Sequence, residues 1–156
     1  MVPVQHIHPM LVHFPIVLIF LLAGFDLVAT FLGYSVTGRT ATGNVSAGLA
    51  VLAALAAIAT YYFGGLALDF AEAGGFSSDV AEIHESLGGM VAIAFTVWAL
   101  IRAFLWFRDI RIARPMAFVF PLVAIAGVGL VVVTASYGGQ LVFNLGVNVA
   151  KAASGG

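Results

Sequence analysis

The chain has 156 residues, of which 62% are hydrophobic and only 8% charged, with a mean hydropathy of +1.12. Soluble domains carry about a quarter charged residues, so this composition reads as an integral membrane protein of one domain, in which four helical spans of roughly 20 residues each use most of the length. A net charge of -1 excludes a nucleic-acid-binding protein, which needs a basic face, and the lack of cysteine excludes disulfides, iron–sulfur ligation, thiolate zinc and covalently attached haem.

The first span is expected over 9–32, with His8 near the N-cap and Pro9 at the first helical position, where a missing N–H is harmless. No basic region precedes it and no small-residue cleavage site follows, so it reads as a retained helix and not as a signal peptide. Pro15 falls past the first turn, removes the bond to the Leu11 carbonyl and predicts a bend close to His13. Asp26 sits deeper in the span.

Gly33 to Asn44 reads as a loop carrying Arg39, and the second span is expected over 46–68, rich in alanine and leaving through Gly64-Gly65 and Asp69. An acidic loop over 71–83 holds Glu72, Asp79 and Glu82. The third span, 85–107, opens on His84-Glu85-Ser86-Leu87-Gly88-Gly89, where the two glycines leave room either for a flat ring or for close helix packing. Arg108, Arg111 and Arg114 form the next loop, Pro115 opens a fourth span over 115–137, Pro121 is expected to kink it, and 138–156 reads as an interfacial tail. The fold class is therefore all-α: an integral membrane four-helix bundle.

Arginine-rich loops stay in the cytoplasm. The Arg39 loop and the Arg108–Arg114 loop then lie inside, both termini lie on the periplasmic or outer side, and His6, His8, His13 and His84 all fall in the outer half. His8 and His13 are five residues apart, roughly 140 degrees around a helix, which does not suit a shared metal. The expected pair is His13 with His84, because rings from facing helices can hold one buried metal ion or haem iron. His8 and His6 are weaker candidates, an N-cap and a solvated tail. Asp26 and Arg102 are expected at similar depth in the inner half, as a structural ion pair, and Tyr61, Tyr62, Trp98 and Trp106 as packing or interface side chains.

His8-Pro9-Met10-Leu11-Val12-His13-Phe14-Pro15, with Phe25-Asp26-Leu27, resembles the opening of the bacterial four-helix membrane family known as domain of unknown function 2231. Gly64-Gly65 with Asp69, His84 with Leu87-Gly88, and Gly138-Gly139-Gln140-Leu141-Val142-Phe143 resemble its later landmarks, so the resemblance covers nearly the whole chain. Leu145 stands where the family tail usually has a histidine. Members joined to Rieske or c-type cytochrome domains imply work near a respiratory chain, an association and not a mechanism.

The leading expectation is a small multi-pass subunit of the bacterial cytoplasmic (inner) membrane, associated with respiratory or redox electron transfer, either binding haem b through His13 and His84 or otherwise sitting beside a redox complex without a cofactor. Haem propionates want basic partners, and on the outer half the sequence offers only Lys151 beside the terminal amine and the histidines. A cofactor-free structural or assembly subunit of a larger membrane complex is the alternative, and proton or metal-ion transport ranks last, since too few intramembrane polar groups exist to line a path. The expected partners are the lipid bilayer and a redox membrane complex, with a homo-oligomer also compatible. No motif for hydrolysis, phosphate or nucleotide binding is present, so an enzyme is not expected.

Overall fold

The computed structural model describes residues 3–149, and all the regular structure among them is helical. A short 3-10 turn, Val4–His6, leads into α1 (Ile7–Leu11) and α2 (His13–Phe31). Then come α3 (Ala41–Ala73), α4 (Asp79–Phe107), a 3-10 turn at Met116–Phe118, and α5 (Val119–Phe143). Four stretches among the described residues are long and apolar enough to cross a membrane: Val4–Phe31, Ala41–Ala73, Asp79–Phe107 and Met116–Phe143. A lipid bilayer is thus the environment of this bundle.

Helix ends differ from those expected, each for a local reason. The first span starts at Val4 and breaks at Val12, between α1 and α2. Pro15 has no N–H for the Leu11 carbonyl, and that carbonyl accepts instead from the Thr60 hydroxyl at 3.3 Å. Helix α3 starts at Ala41 and not at 46, because the Thr40 side chain caps it by accepting from the Gly43 amide at 2.9 Å. It then runs through Gly64-Gly65 to Ala73. Ser78 caps α4 by accepting from the Val80 amide, and Asp79 and Glu82 complement the helix dipole in its first turn. The expected acidic loop thereby shrinks to the residues between Ala73 and Asp79, and His84 moves inside the helix. In the last span Pro121 sits in the first turn of α5, where no intrahelical N–H bond is lost, so the helix continues unbroken through Gly138-Gly139 to Phe143. The tail expected from 138 is helical for its first residues.

Helices α2, α3, α4 and α5 form a four-sided bundle in which each packs against two neighbours, so that α2 and α4 face each other across a diagonal, as do α3 and α5. Small side chains make this close approach possible: Ala50, Ala53, Ala54 and Ala57 of α3 are buried against Ile19, Leu22, Phe95 and Ala124. A Cβ on Gly127 would lie 2.4 Å from the Phe95 ring, so glycine there makes room for that ring. Large apolar residues such as Phe14, Leu21, Ile93, Leu100 and Leu122 are exposed, the pattern of a bundle that turns its apolar surface to lipid.

Toward the arginine-loop end lies a buried polar cluster. Arg102 and Asp26 are 2% and 0% exposed, with Arg102 Nη1 3.1 Å from Asp26 Oδ2. Arg102 Nη2 donates to the Val36 carbonyl at 2.7 Å, Ser46 bridges to both partners of the pair, and the guanidinium lies 4.7 Å from the centre of the Phe120 ring. The loops beyond are tied by Arg39, whose amide donates to Asp109 Oδ1 at 2.6 Å and whose side chain donates to the Phe107 carbonyl at 2.9 Å.

Removing one partner of a buried ion pair strands the other charge, at about 3–5 kcal/mol. Arg102→Leu should lower the melting temperature in detergent sharply, and the double change Asp26→Leu, Arg102→Leu should recover most of the loss; equal damage from both would refute the pairing as the cause. The Arg39 amide beside Asp109 holds that carboxyl below the usual carboxylate range. A carboxyl depressed in the fold contributes stability above its unfolded value that is lost as the pH falls through the depressed one. Hydrogen exchange at the Arg39 amide, relative to its neighbours, should therefore lose protection only on strong acidification.

Candidate functional site

The end of the bundle opposite the arginines contains a cavity of about 590 Å³ whose walls include His8, His84, Thr60, Gly64, Thr134 and Gly138. Its size falls within the range typical of small-molecule and cofactor sites, about 300–1,000 Å³. His8 and His84 face each other there, with ring centres 6.1 Å apart and ring planes at 83°.

Each imidazole is held in the same way. His8 Nδ1 donates to the Thr60 carbonyl at 3.0 Å, and His84 Nδ1 donates to the Thr134 carbonyl at 3.0 Å. A carbonyl can only accept, so each Nδ1 carries the proton and each Nε2 is left with a free lone pair, the form in which histidine binds a metal. One turn after each threonine stands a glycine. A Cβ on Gly64 would lie 3.0 Å from His8 Nδ1 and Cε1, and one on Gly138 would lie 2.9 Å from His84 Cε1. The rings rest directly on helix backbone, and no larger residue fits beneath them.

The two cradles are repeats of one device. Thr60-Tyr61-Tyr62-Phe63-Gly64-Gly65 on α3 matches Thr134-Ala135-Ser136-Tyr137-Gly138-Gly139 on α5 in its threonine and glycine pair. Likewise, Asp26 follows His8 and Arg102 follows His84 at the same interval of 18 residues. The α1/α2 and α3 half and the α4 and α5 half thus contribute equivalent groups to both the histidine pair and the ion pair.

Expectation and structure part over the partner of His84. The expected partner, His13, is exposed; it reaches the cavity wall, but the ring that meets His84 edge-on is His8. Helix begins before Pro9, which carries His8 into the bundle as the second residue of α1, whereas an N-cap at His8 would leave it outside. His6 is exposed and makes no capping bond. The space over Gly88 and Gly89 is taken by the Tyr61 ring, 3.4 Å from a Cβ placed on Gly89. Thr60, Gly64, Thr134 and Gly138 are the site residues that sequence reasoning missed; their repeated spacing is the signal that marks them.

Chemically the site offers two imidazole nitrogens and little else. Among the described residues no group of three or more His, Cys, Asp or Glu is placed to hold a metal ion. A bare zinc ion needs four ligands, so two imidazoles do not make a zinc centre. Haem iron brings four nitrogens of its own and asks the protein for at most two axial ligands.

Residues 5–151 match the family model described as "Predicted membrane protein (DUF2231)". No curated protein and no solved structure matches the chain.

Gly64→Ala and Gly138→Ala each push a methyl group into a histidine ring. Both should displace that ring and weaken its Nδ1 bond, seen as a shift of the His8 or His84 imidazole signal by NMR in detergent, with a stability loss of about 1–3 kcal/mol. Gly65→Ala, where a Cβ meets nothing within 4 Å, is the control. Equal effects at Gly64 and Gly65 would contradict the cradle.

Proposed function

Since the chain belongs to the family of predicted membrane proteins called domain of unknown function 2231, whose name assigns no chemistry, we propose from the site itself that it is a redox subunit of the bacterial cytoplasmic membrane binding haem b between His8 and His84. The observation that carries this is the ring separation of 6.1 Å. His8 and His84 would hold the haem iron through their Nε2 atoms, and rings this close can share one metal ion.

The supporting groups fit the same ligand. Nδ1 bonds to Thr60 and Thr134 fix the tautomer and ring orientation, as partners of metal-bound histidine do. Gly64 and Gly138 let the two rings lie against helix backbone, which holds them in place on the cavity wall. The fit is incomplete at the propionates: the described cations Arg39, Arg102, Arg108, Arg111 and Arg114 are placed at the other end or in its loops, and Lys151 lies outside the described residues. Neutral donors such as Gln5 and Tyr61 line the cavity instead. Bound haem would supply one-electron redox chemistry; the chain's own part is to leave the Nε2 atoms of His8 and His84 free by engaging each Nδ1, and to shield the two rings with apolar helices.

The orientation proposed with this function puts both termini and the histidine end outside. Its support is the gathering of Arg39, Arg108, Arg111 and Arg114 in loops at the other end. Ion conduction is the weaker reading, because Ile19, Leu22, Ala53, Phe95 and Ala124 close the bundle below the cavity.

The test is a visible spectrum of protein purified from haem-replete cells. A Soret band of six-coordinate haem at one haem per chain is expected, lost in His8→Ala and in His84→Ala and retained in His13→Ala. Colourless, iron-free protein would overturn the proposal and leave the cofactor-free assembly subunit, and a band lost in His13→Ala but not in His8→Ala would overturn the ligand assignment.

A further inference from the structure

We infer that residues 144–149 are a strap that gates the histidine cavity: they cross from α5 to α3 over its end, are latched there by Asn148, and admit a solute to His8 and His84 when the latch opens. The gate serves any occupant of the cavity, so it stands apart from the haem reading.

Three observations carry it. The first is position. Helices α3 and α5 face each other across the diagonal of the bundle, and the cavity lies between their two cradles, Thr60 with Gly64 and Thr134 with Gly138. The strap crosses from one helix to the other. Its half-buried residues, Val147 and Asn148, both line the cavity, whereas Asn144, Leu145, Gly146 and Val149 are exposed. The Asn148 side-chain amide donates to the Ala67 carbonyl of α3 at 3.3 Å.

The second is how unevenly the two halves of the chain are tied. At the arginine end they are joined by the Asp26–Arg102 pair and by bonds from Arg39, Trp106 and Arg114. At the histidine end each half is bonded within itself, His8 and the Leu11 carbonyl to Thr60, and His84 to Thr134. Among the described residues, the one hydrogen bond that joins the halves at this end is that of Asn148 to Ala67. A single bond between neutral groups contributes little, so the strap is held lightly.

The third is the strap's own backbone. Gly146 and Asn148, with φ of 64° and 56°, lie in the left-handed region and turn the chain back onto the end of α5, where the Val147 amide donates to the Leu141 carbonyl at 2.9 Å. Glycine adopts this conformation freely, whereas a residue with a side chain keeps it only where its surroundings hold it there. Ala67 supplies that hold for Asn148. Loss of the bond frees the side chain and removes the reason for the strained backbone, so latch and turn let go together. What the strap guards is the pair of free Nε2 lone pairs, which protons, metal ions and electrophiles all seek.

The test uses the full chain in lipid nanodiscs, purified from haem-depleted cells so that both Nε2 atoms are free, and diethyl pyrocarbonate, a small electrophile that acylates the free nitrogen of a neutral imidazole. Fragment-ion mass spectrometry gives a rate for each histidine, with exposed His6 as the internal reference. His8 and His84 should react more slowly than His6, and Asn148→Ala should raise both rates about fivefold, the change expected for one lost neutral hydrogen bond, with His6 unaltered. The chain has no cysteine of its own, so Ala67→Cys with Asn148→Cys can be bridged by a short bis-methanethiosulfonate; the bridge should suppress both rates and its reduction should restore them. Rates at His8 and His84 equal to that at His6 in the unaltered chain, no change in Asn148→Ala, a rise that His6 shares, or a bridge without effect would each overturn the gate. None of these outcomes bears on haem binding, which the visible spectrum decides.

Discussion

A charge buried in a bundle that lipid surrounds has to be answered by the protein itself, and Arg102 is the point at which this constraint acts on the whole chain. Its guanidinium reaches Asp26 on α2, Ser46 on α3 and the Val36 carbonyl in the connection between them, while Phe120 of α5 covers its face. All four sides of the bundle therefore meet at one side chain. Sliding α4 by a single turn, about 5.4 Å, would break every one of these contacts and leave two charges unpaired in a low dielectric, so the cluster sets the height of α4 relative to its neighbours.

That setting matters at the other end. His84 follows from the same helix, 18 residues before Arg102, just as His8 lies 18 residues before Asp26. About five turns of helix connect each pair, so fixing Asp26 against Arg102 brings His8 level with His84. The cradles then do the fine adjustment. Without the glycine at 64 or 138 the ring would stand off the helix and its Nδ1 would lose the threonine carbonyl. Coarse register comes from an ion pair and ring orientation from a glycine notch.

Much of this was legible in the sequence. Composition alone demands membrane spans, and four apolar runs separated by Gly-rich or Arg-rich segments give their number. Asp26 and Arg102 stand out because intramembrane charges are rare. What is not legible has a common cause: Gly-Gly pairs at the ends of apolar runs read as helix exits, the role they have in water. Gly64-Gly65 and Gly138-Gly139 sit inside helices, where Gly64 and Gly138 provide contact surfaces for His8 and His84. Pro15 does break the ladder beside His13, at Val12, and what composition does not show is that the orphaned Leu11 carbonyl is taken by Thr60. The Ser78 cap likewise starts α4 early and carries His84 one turn deeper than its acidic neighbours suggest. A first span that starts at Pro9 leaves His8 peripheral and favours His13, whereas α1 starts at Ile7 and carries His8 inward.

The repeat also explains why the two ends of one bundle hold such different chemistry. Equivalent positions on α1/α2 and α4 meet across the diagonal, so any residue type placed at both meets its like. Two histidines tolerate this, since neutral imidazoles carry no like charges to repel. Two carboxylates or two guanidiniums would not, because like charges at about 3 Å in an apolar core repel by several kcal/mol even at an effective dielectric of 20. The inner position must therefore be unlike, Asp26 on one half and Arg102 on the other, for the outer position to remain alike. A symmetric pair of imidazoles at the histidine end thus goes with an asymmetric pair of charges at the arginine end.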